Sequence, residues 1–156
     1  MAIHNYKATI TWTGNQGKGT ADYLGYERSH EVSISGKPII PASSDPSFRG
    51  DKTRYNPEEL LVASLSSCHM LWYLHLCCVN GVVVIDYTDE ATGKMMETAD
   101  GGGYFEEITL HPKVIVSDES MVEKANALHP EANKKCFIAN SVNFPVNHLP
   151  ECYVRN

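Results

Sequence analysis

The chain has no excess of positive charge: 13 Lys and Arg stand against 19 Asp and Glu, a formal net charge of -6. That excludes the basic stripe a nucleic-acid surface needs, and gives an anionic membrane nothing to attract. Cys-x-x-Cys and His-x-x-His spacings are both missing, and Cys77 and Cys78 are adjacent, which suits chelation of one ion poorly. No metal or other cofactor is therefore expected. There is no internal repeat, linker or low-complexity tract, so residues 1–156 read as a single domain. The start, Met1 to Lys7, goes straight into an alternating pattern and lacks the apolar core of an export signal. The longest apolar stretch, Leu60 to Val79, is interrupted by Ser64, Ser66, Ser67, His69 and His75, which favours a helix buried in protein over a membrane span. A cytoplasmic location is the expectation. In that compartment, paired cysteines are more often redox-active than structural.

What remains is an ordinary folded composition, 42% apolar and 21% charged over 156 residues. Residues 4–13 alternate and are rich in β-branched and aromatic types, so they read as a strand; Asn15 to Gly19 mark a turn, and a second strand is expected over Ala21 to Ile34. Lys37 to Ile40 is a short edge piece, limited by Pro38, and Pro41 to Tyr55 is loop. Asn56-Pro57-Glu58-Glu59 is a strong helix start, with Asn56 as N-cap, Pro57 at the first position and Glu59 closing a capping box. The helix should run to about Asn80, with Gly81 in the left-handed position after it. Strands follow at Val82–Tyr87, Gly93–Thr98 and, after a hairpin tip at Asp100–Gly103, Tyr104–Val116; helices are expected from Asp118 to His129 and from Pro130 to Ile138, and a last strand over Ser141–Val146. The order gives an α+β fold. The long helix is apolar almost all round, which asks for cover on every face. A homodimer with the two long helices at its centre and antiparallel sheets outside meets that need.

Five cysteines are present: Cys68 in the middle of the long helix, Cys77 and Cys78 near its end, Cys136 after Lys134-Lys135, and Cys152 in a polar tail. A thiolate is the reactive form, and neighbouring cations lower a thiol's pKa while burial raises it. The two lysines before Cys136 are suggestive on that ground. Against this, free cysteine is among the most buried residue types, and a packing role is the ordinary one, above all for Cys77 and Cys78.

Asn56-Pro57-Glu58-Glu59-Leu60-Leu61 followed by small residues into Cys68, with Cys136 downstream after a short late helix, resembles the OsmC/organic hydroperoxide resistance (Ohr) family, and the likeness extends over the N-terminal strands. The resemblance implies a thiol peroxidase. Cys68 matches the cysteine that attacks the peroxide and Cys136 the one that resolves the sulfenic acid to a disulfide, with an external dithiol as reductant and organic hydroperoxides as substrates, hydrogen peroxide being a further candidate. Glu58 matches the family's active-site glutamate. An upstream arginine is expected beside the thiolate; Arg49 is favoured, with Arg28 second and Arg54 a further candidate. Two departures stand out, His69 after Cys68 and Phe137 after Cys136. His69 points about 100° away from Cys68, which favours a satisfied core histidine, whereas His75 faces the same way as Cys68, about 10 Å along the axis, and is a candidate pocket residue.

Glu58 and Cys68 are ten residues apart, so an unbroken helix separates them by about 15 Å along its axis and ~80° in azimuth. Either the helix breaks near Ser66-Ser67, or Glu58 serves the other subunit's cysteine; the unbroken apolar pattern favours the second. Competing readings are a cysteine hydrolase with a histidine oriented on the sulfur from elsewhere in the fold, and a non-catalytic small-molecule-binding or redox-sensing dimer whose cysteines merely pack.

Overall fold

A computed structural model describes residues 1–155. The chain divides into two compact units, Met1–Leu61 and Val62–Asn156. The first is a three-stranded antiparallel meander in the order β1 (Thr9–Trp12), β2 (His30–Ser33), β3 (Ile40–Ala42), with Trp12 opposite His30. The second strand is much shorter than the alternation over 21–34 suggests. Asp22 closes a turn instead: its carboxylate accepts the Leu24 amide at 3.1 Å and its carbonyl accepts the Gly25 amide at 3.0 Å. The edge strand also lies later than expected, and Pro41 within it is tolerated because β3 ends the sheet.

The long helix, α1 (Pro57–Val79), begins as its sequence demands. The Glu59 amide donates to Asn56 Oδ1 at 2.8 Å, and the Asn56 amide donates to Glu59 Oε2 at 3.1 Å. It ends in a Schellman motif: Gly81 has φ 73, its amide donates to the Cys78 carbonyl at 3.2 Å, and the Val82 amide donates to the Cys77 carbonyl at 2.9 Å. No break occurs at Ser66-Ser67.

The second unit holds two three-stranded sheets. One is ordered β4 (Val84–Asp89), β7 (Pro112–Val116), β9 (Glu151–Val154); the other β5 (Thr92–Glu97), β6 (Gly103–Leu110), β8 (Val146–His148). The pairs β4–β7 and β5–β6 are antiparallel, whereas β6–β8 and β7–β9 are parallel, so the expected all-antiparallel cover is mixed. The single strand expected over Tyr104–Val116 is two, because the chain changes sheets at His111, whose amide is taken at 2.7 Å by Asp89 Oδ1. The late helices are shorter than expected, α2 (Val122–Ala127) and α3 (His129–Lys135); β8 begins at the last residue of the expected 141–146, and β9 lies beyond it. Tyr73, Leu76 and Cys77 of α1 pack with Val82, Val114, Val116, Ala125 and Ala132 as the core of this unit.

Only one stripe of α1 is buried, formed by Leu65, His69, Tyr73, Leu76 and Cys77 at helical spacing. The opposite stripe, Ser67, Leu71, His75 and Cys78, is exposed, and Leu71 and Val79 are each 63% open to solvent. Cys78 is thus not the core residue its neighbours suggest.

Candidate active site

Cys68 projects from the middle of α1 and is half-buried, while Cys136 caps the C-terminus of α3 and is 1% exposed. The two side chains are neighbours: Cys68 is among the causes that raise the Cys136 thiol. The Cys136 amide bonds back to the Asn133 carbonyl at 3.2 Å, and its Sγ accepts the Ala139 amide at 3.4 Å. Burial first, and then the neighbouring Cys68 side chain, push the Cys136 thiol up to about 11. The lysines before it do not offset this. Lys134 and Lys135 reach Glu131 at 3.7 and 3.9 Å, and the Lys135 ammonium lies 5.8 Å from the Trp72 ring centre. At neutral pH Cys136 is therefore a protonated thiol aimed at its neighbour, the reverse of what Lys134-Lys135 suggest.

The first unit contains a cavity of about 410 Å³ with walls that include Trp12, Tyr26, Arg28, His30, Phe48 and Glu58. Arg28 is held rigidly. Its guanidinium donates to the Tyr26 carbonyl at 2.6 Å and the Tyr23 carbonyl at 3.0 Å, and it stacks 4.1 Å from the Tyr26 ring centre and 4.5 Å from that of Tyr23. Glu58 stands in the first turn of α1 with Oε2 buried and unpartnered. Arg49, the arginine favoured from sequence, is exposed at the end of the 3-10 turn Pro46–Phe48 with φ 64, and is not among the lining residues. Arg54 pairs with Asp51 at 3.7 Å. Within this unit the cavity thus brings Glu58 together with Arg28.

His69 is a core residue, 1% exposed, with Nε2 2.9 Å from Nδ1 of the equally buried His129. The His148 ring lies 4.6 Å from that of His69, and Tyr73 stacks on His129 at 4.0 Å. Burial is the main cause that pushes the His69 imidazole down to about 3 and His129 to about 4, and it lowers His148 as well. Sequence reasoning picked out His69 alone; residues sixty apart in the chain leave no local pattern. His75 is exposed and lies edge-on to Trp72 at 5.7 Å. Cys152, placed by the sequence in a polar tail, is half-buried in β9 against the core. No group of three or more His, Cys, Asp or Glu side chains among the described residues is arranged to hold a metal ion.

A family model described as "OsmC-like protein" matches residues 50–148. An OsmC-like protein of unknown function from Vibrio cholerae is 30% identical, with a TM-score of 0.85 over 96% of this chain and 100% of that one. An organic hydroperoxide resistance protein from Elizabethkingia anophelis superposes with a TM-score of 0.70 at 17% identity, covering 99% of each chain. The organic hydroperoxide resistance protein OhrB of Bacillus subtilis gives 0.63 at 20% identity, over 95% of this chain and 98% of that one. These last two likenesses are of fold. No curated protein matches the chain.

Proposed function

The chain belongs to the OsmC-like protein family, and from that membership we propose that it is a cysteine-based peroxidase of organic hydroperoxides. The observation that carries the reading is the sulfur pair, since Cys68 on α1 and Cys136 at the end of α3 are close enough for one thiol to act on the other, and neighbouring thiols can pass to a disulfide with little motion. Because burial keeps Cys136 protonated, Cys68 is the sulfur that attacks. Its thiolate takes the terminal oxygen of the hydroperoxide, the O–O bond breaks, and the alkoxide leaves as the alcohol after taking a proton from solvent. Cys136 then attacks the sulfenic acid; an S–S bond forms, the S–O bond breaks, and the hydroxyl leaves with the Cys136 proton as water. An external dithiol returns both cysteines to thiols and is itself oxidised to a disulfide. No cofactor takes part.

For the charged partners of the sulfur we assign Arg28 and Glu58. A guanidinium fixed by two carbonyls and two tyrosine rings supplies a cation without reorganisation. Since α1 is continuous, Glu58 lies about 15 Å from Cys68 along the helix axis, so we assign it to the cysteine of a second copy in a homodimer. The exposed face of α1, which carries Leu71 and Val79, supports such a dimer. Steady-state consumption of cumene hydroperoxide under dithiothreitol tests the reading. Wild type should turn over, Cys68→Ser should not, and Cys136→Ser should give one reduction and then stall. Undiminished turnover by Cys68→Ser ends the proposal, and ester hydrolysis that needs no dithiol favours a cysteine hydrolase instead.

A further inference from the structure

The sulfur cycle leaves unused the most buried polar cluster of the second unit, the imidazoles of His69 and His129. The helix that delivers Cys136 is α3, seven residues long, and isolated helices below roughly 12 residues are marginal. Its N-cap position is Leu128, which makes no side-chain capping bond. Side-chain ties to the rest of the fold must therefore fix it. At the sulfur end, Phe137 meets the Trp72 ring edge-on at 5.8 Å, and the Lys135 ammonium lies over the same indole. Between the two ends, Ala132 is buried in the core of this unit and adds an apolar contact without a directional bond. The second anchor is at the other end, where the His129 imidazole meets His69 on α1 at 2.9 Å and its ring stacks on Tyr73 one turn further along.

The spacing couples these anchors. His129 and Cys136 are seven residues apart, hence within about 20° of one face and about 10 Å along the axis. His69 directly follows Cys68. The face of α3 that sets His129 on α1 thus also sets Cys136 on α1, and both contacts fall within one turn of that helix. We propose that His129, through its hydrogen bond to His69, is a positioning residue for the resolving step, holding α3 so that the Cys136 sulfur faces the Cys68 sulfenic acid. The inference rests on the peroxidase reading above.

The imidazole bond requires one ring to donate and the other to accept, so it persists only while both rings are not protonated together. The other groups that face the pair are Tyr73 from α1 and His148 from β8, with Asp89 of β4 beyond His148. None brings a cation against it. Resolution balances as before: the Cys68 S–O bond breaks, the S–S bond forms, and the hydroxyl departs with the Cys136 proton.

The test separates the two chemical steps in the full-length protein. Reduced protein is mixed with one equivalent of cumene hydroperoxide and quenched over time; dimedone captures Cys68 sulfenic acid and peptide mapping follows the disulfide. His129→Phe keeps a ring for Tyr73 but loses the bond. It should reduce peroxide within about twofold of wild type, yet close the disulfide roughly tenfold more slowly, with dimedone adduct accumulating. Asn at 129 places an amide where Nδ1 stands and Gln places it where Nε2 stands, so His129→Asn should close near the wild-type rate and His129→Gln should be slow. This pair decides the matter even if His129→Phe does not fold. Closure by His129→Phe at the wild-type rate, equal slowing of both steps, or equal rates for Asn and Gln would overturn the inference. Wild type that forms no Cys68–Cys136 disulfide would instead remove the peroxidase reading beneath it.

Discussion

Two groups of buried titratable side chains lie within a few residues of each other, and burial acts on both in the same sense, against charge. It pushes the Cys136 thiol up to about 11, in keeping with the waiting role proposed for that sulfur. It holds the His69 and His129 imidazoles down to about 3 and about 4. In the unfolded chain such rings take up protons near pH ~6.5. Between that value and their folded values, the unfolded state binds more protons, so stability rises with pH across the interval and is lost on acidification. Urea unfolding at pH 7, 6, 5 and 4 should therefore show a steady loss of stability in wild type. His129→Phe should be less stable at pH 7 but should lose less between pH 6 and 4. An identical pH slope in the two proteins would contradict this account of the pair. Cys68, Cys136 and Glu58 could be singled out from sequence because a helix start, a spacing and a resemblance bear on them. The His129 and His148 contacts could not, since they join α1, α3 and β8 across long stretches of chain. Arg28, the second of the arginines considered, is placed by carbonyls and rings of the Tyr23–Tyr26 turn, which distance from the helix does not reveal.

At the scale of elements, α1 is specified from both ends by local chemistry. The reciprocal bonds of Asn56 and Glu59 satisfy two backbone amide donors with two side-chain oxygens at once, and Asn56 is buried. Asn56→Ala should cost about 1 kcal/mol, read as a lowered urea midpoint with an unchanged slope; no shift would mean the cap does not set the helix. Asn56-Pro57 and Gly81 were legible because a cap needs only its neighbours. The break at His111 was not, because the bond that pins it comes from Asp89 on another strand. β9 was missed for the same kind of reason. It is four residues long, half exposed, and exists by parallel pairing with β7, a partner about forty residues earlier in the chain. The lysine pair before Cys136 misled because their charge is taken up by Glu131 one turn back, an i,i+3 and i,i+4 habit of helices that competes with any thiol.

For the molecule as a whole, the exposed stripe on α1 is the feature the single chain leaves unsettled by its own packing. Ser67, Leu71, His75 and Cys78 face away from the core, and Leu71 is 63% exposed on a helix otherwise apolar. If two copies pair through it, wild type should sediment at twice the mass of one chain. Leu71→Lys should then sediment as a monomer and lose most of its turnover, since Glu58 and Cys68 would no longer share a site across copies. A monomeric wild type with full turnover would rule out the composite arrangement while leaving the sulfur pair in place. The central claim concerns that pair, and peptide mapping of disulfides after one equivalent of cumene hydroperoxide tests it most directly. The account predicts that the Cys68 and Cys136 peptides become joined to each other, with Cys77, Cys78 and Cys152 still free. Recovery of Cys68 and Cys136 as unmodified thiols, or their oxidation with other partners, would contradict it.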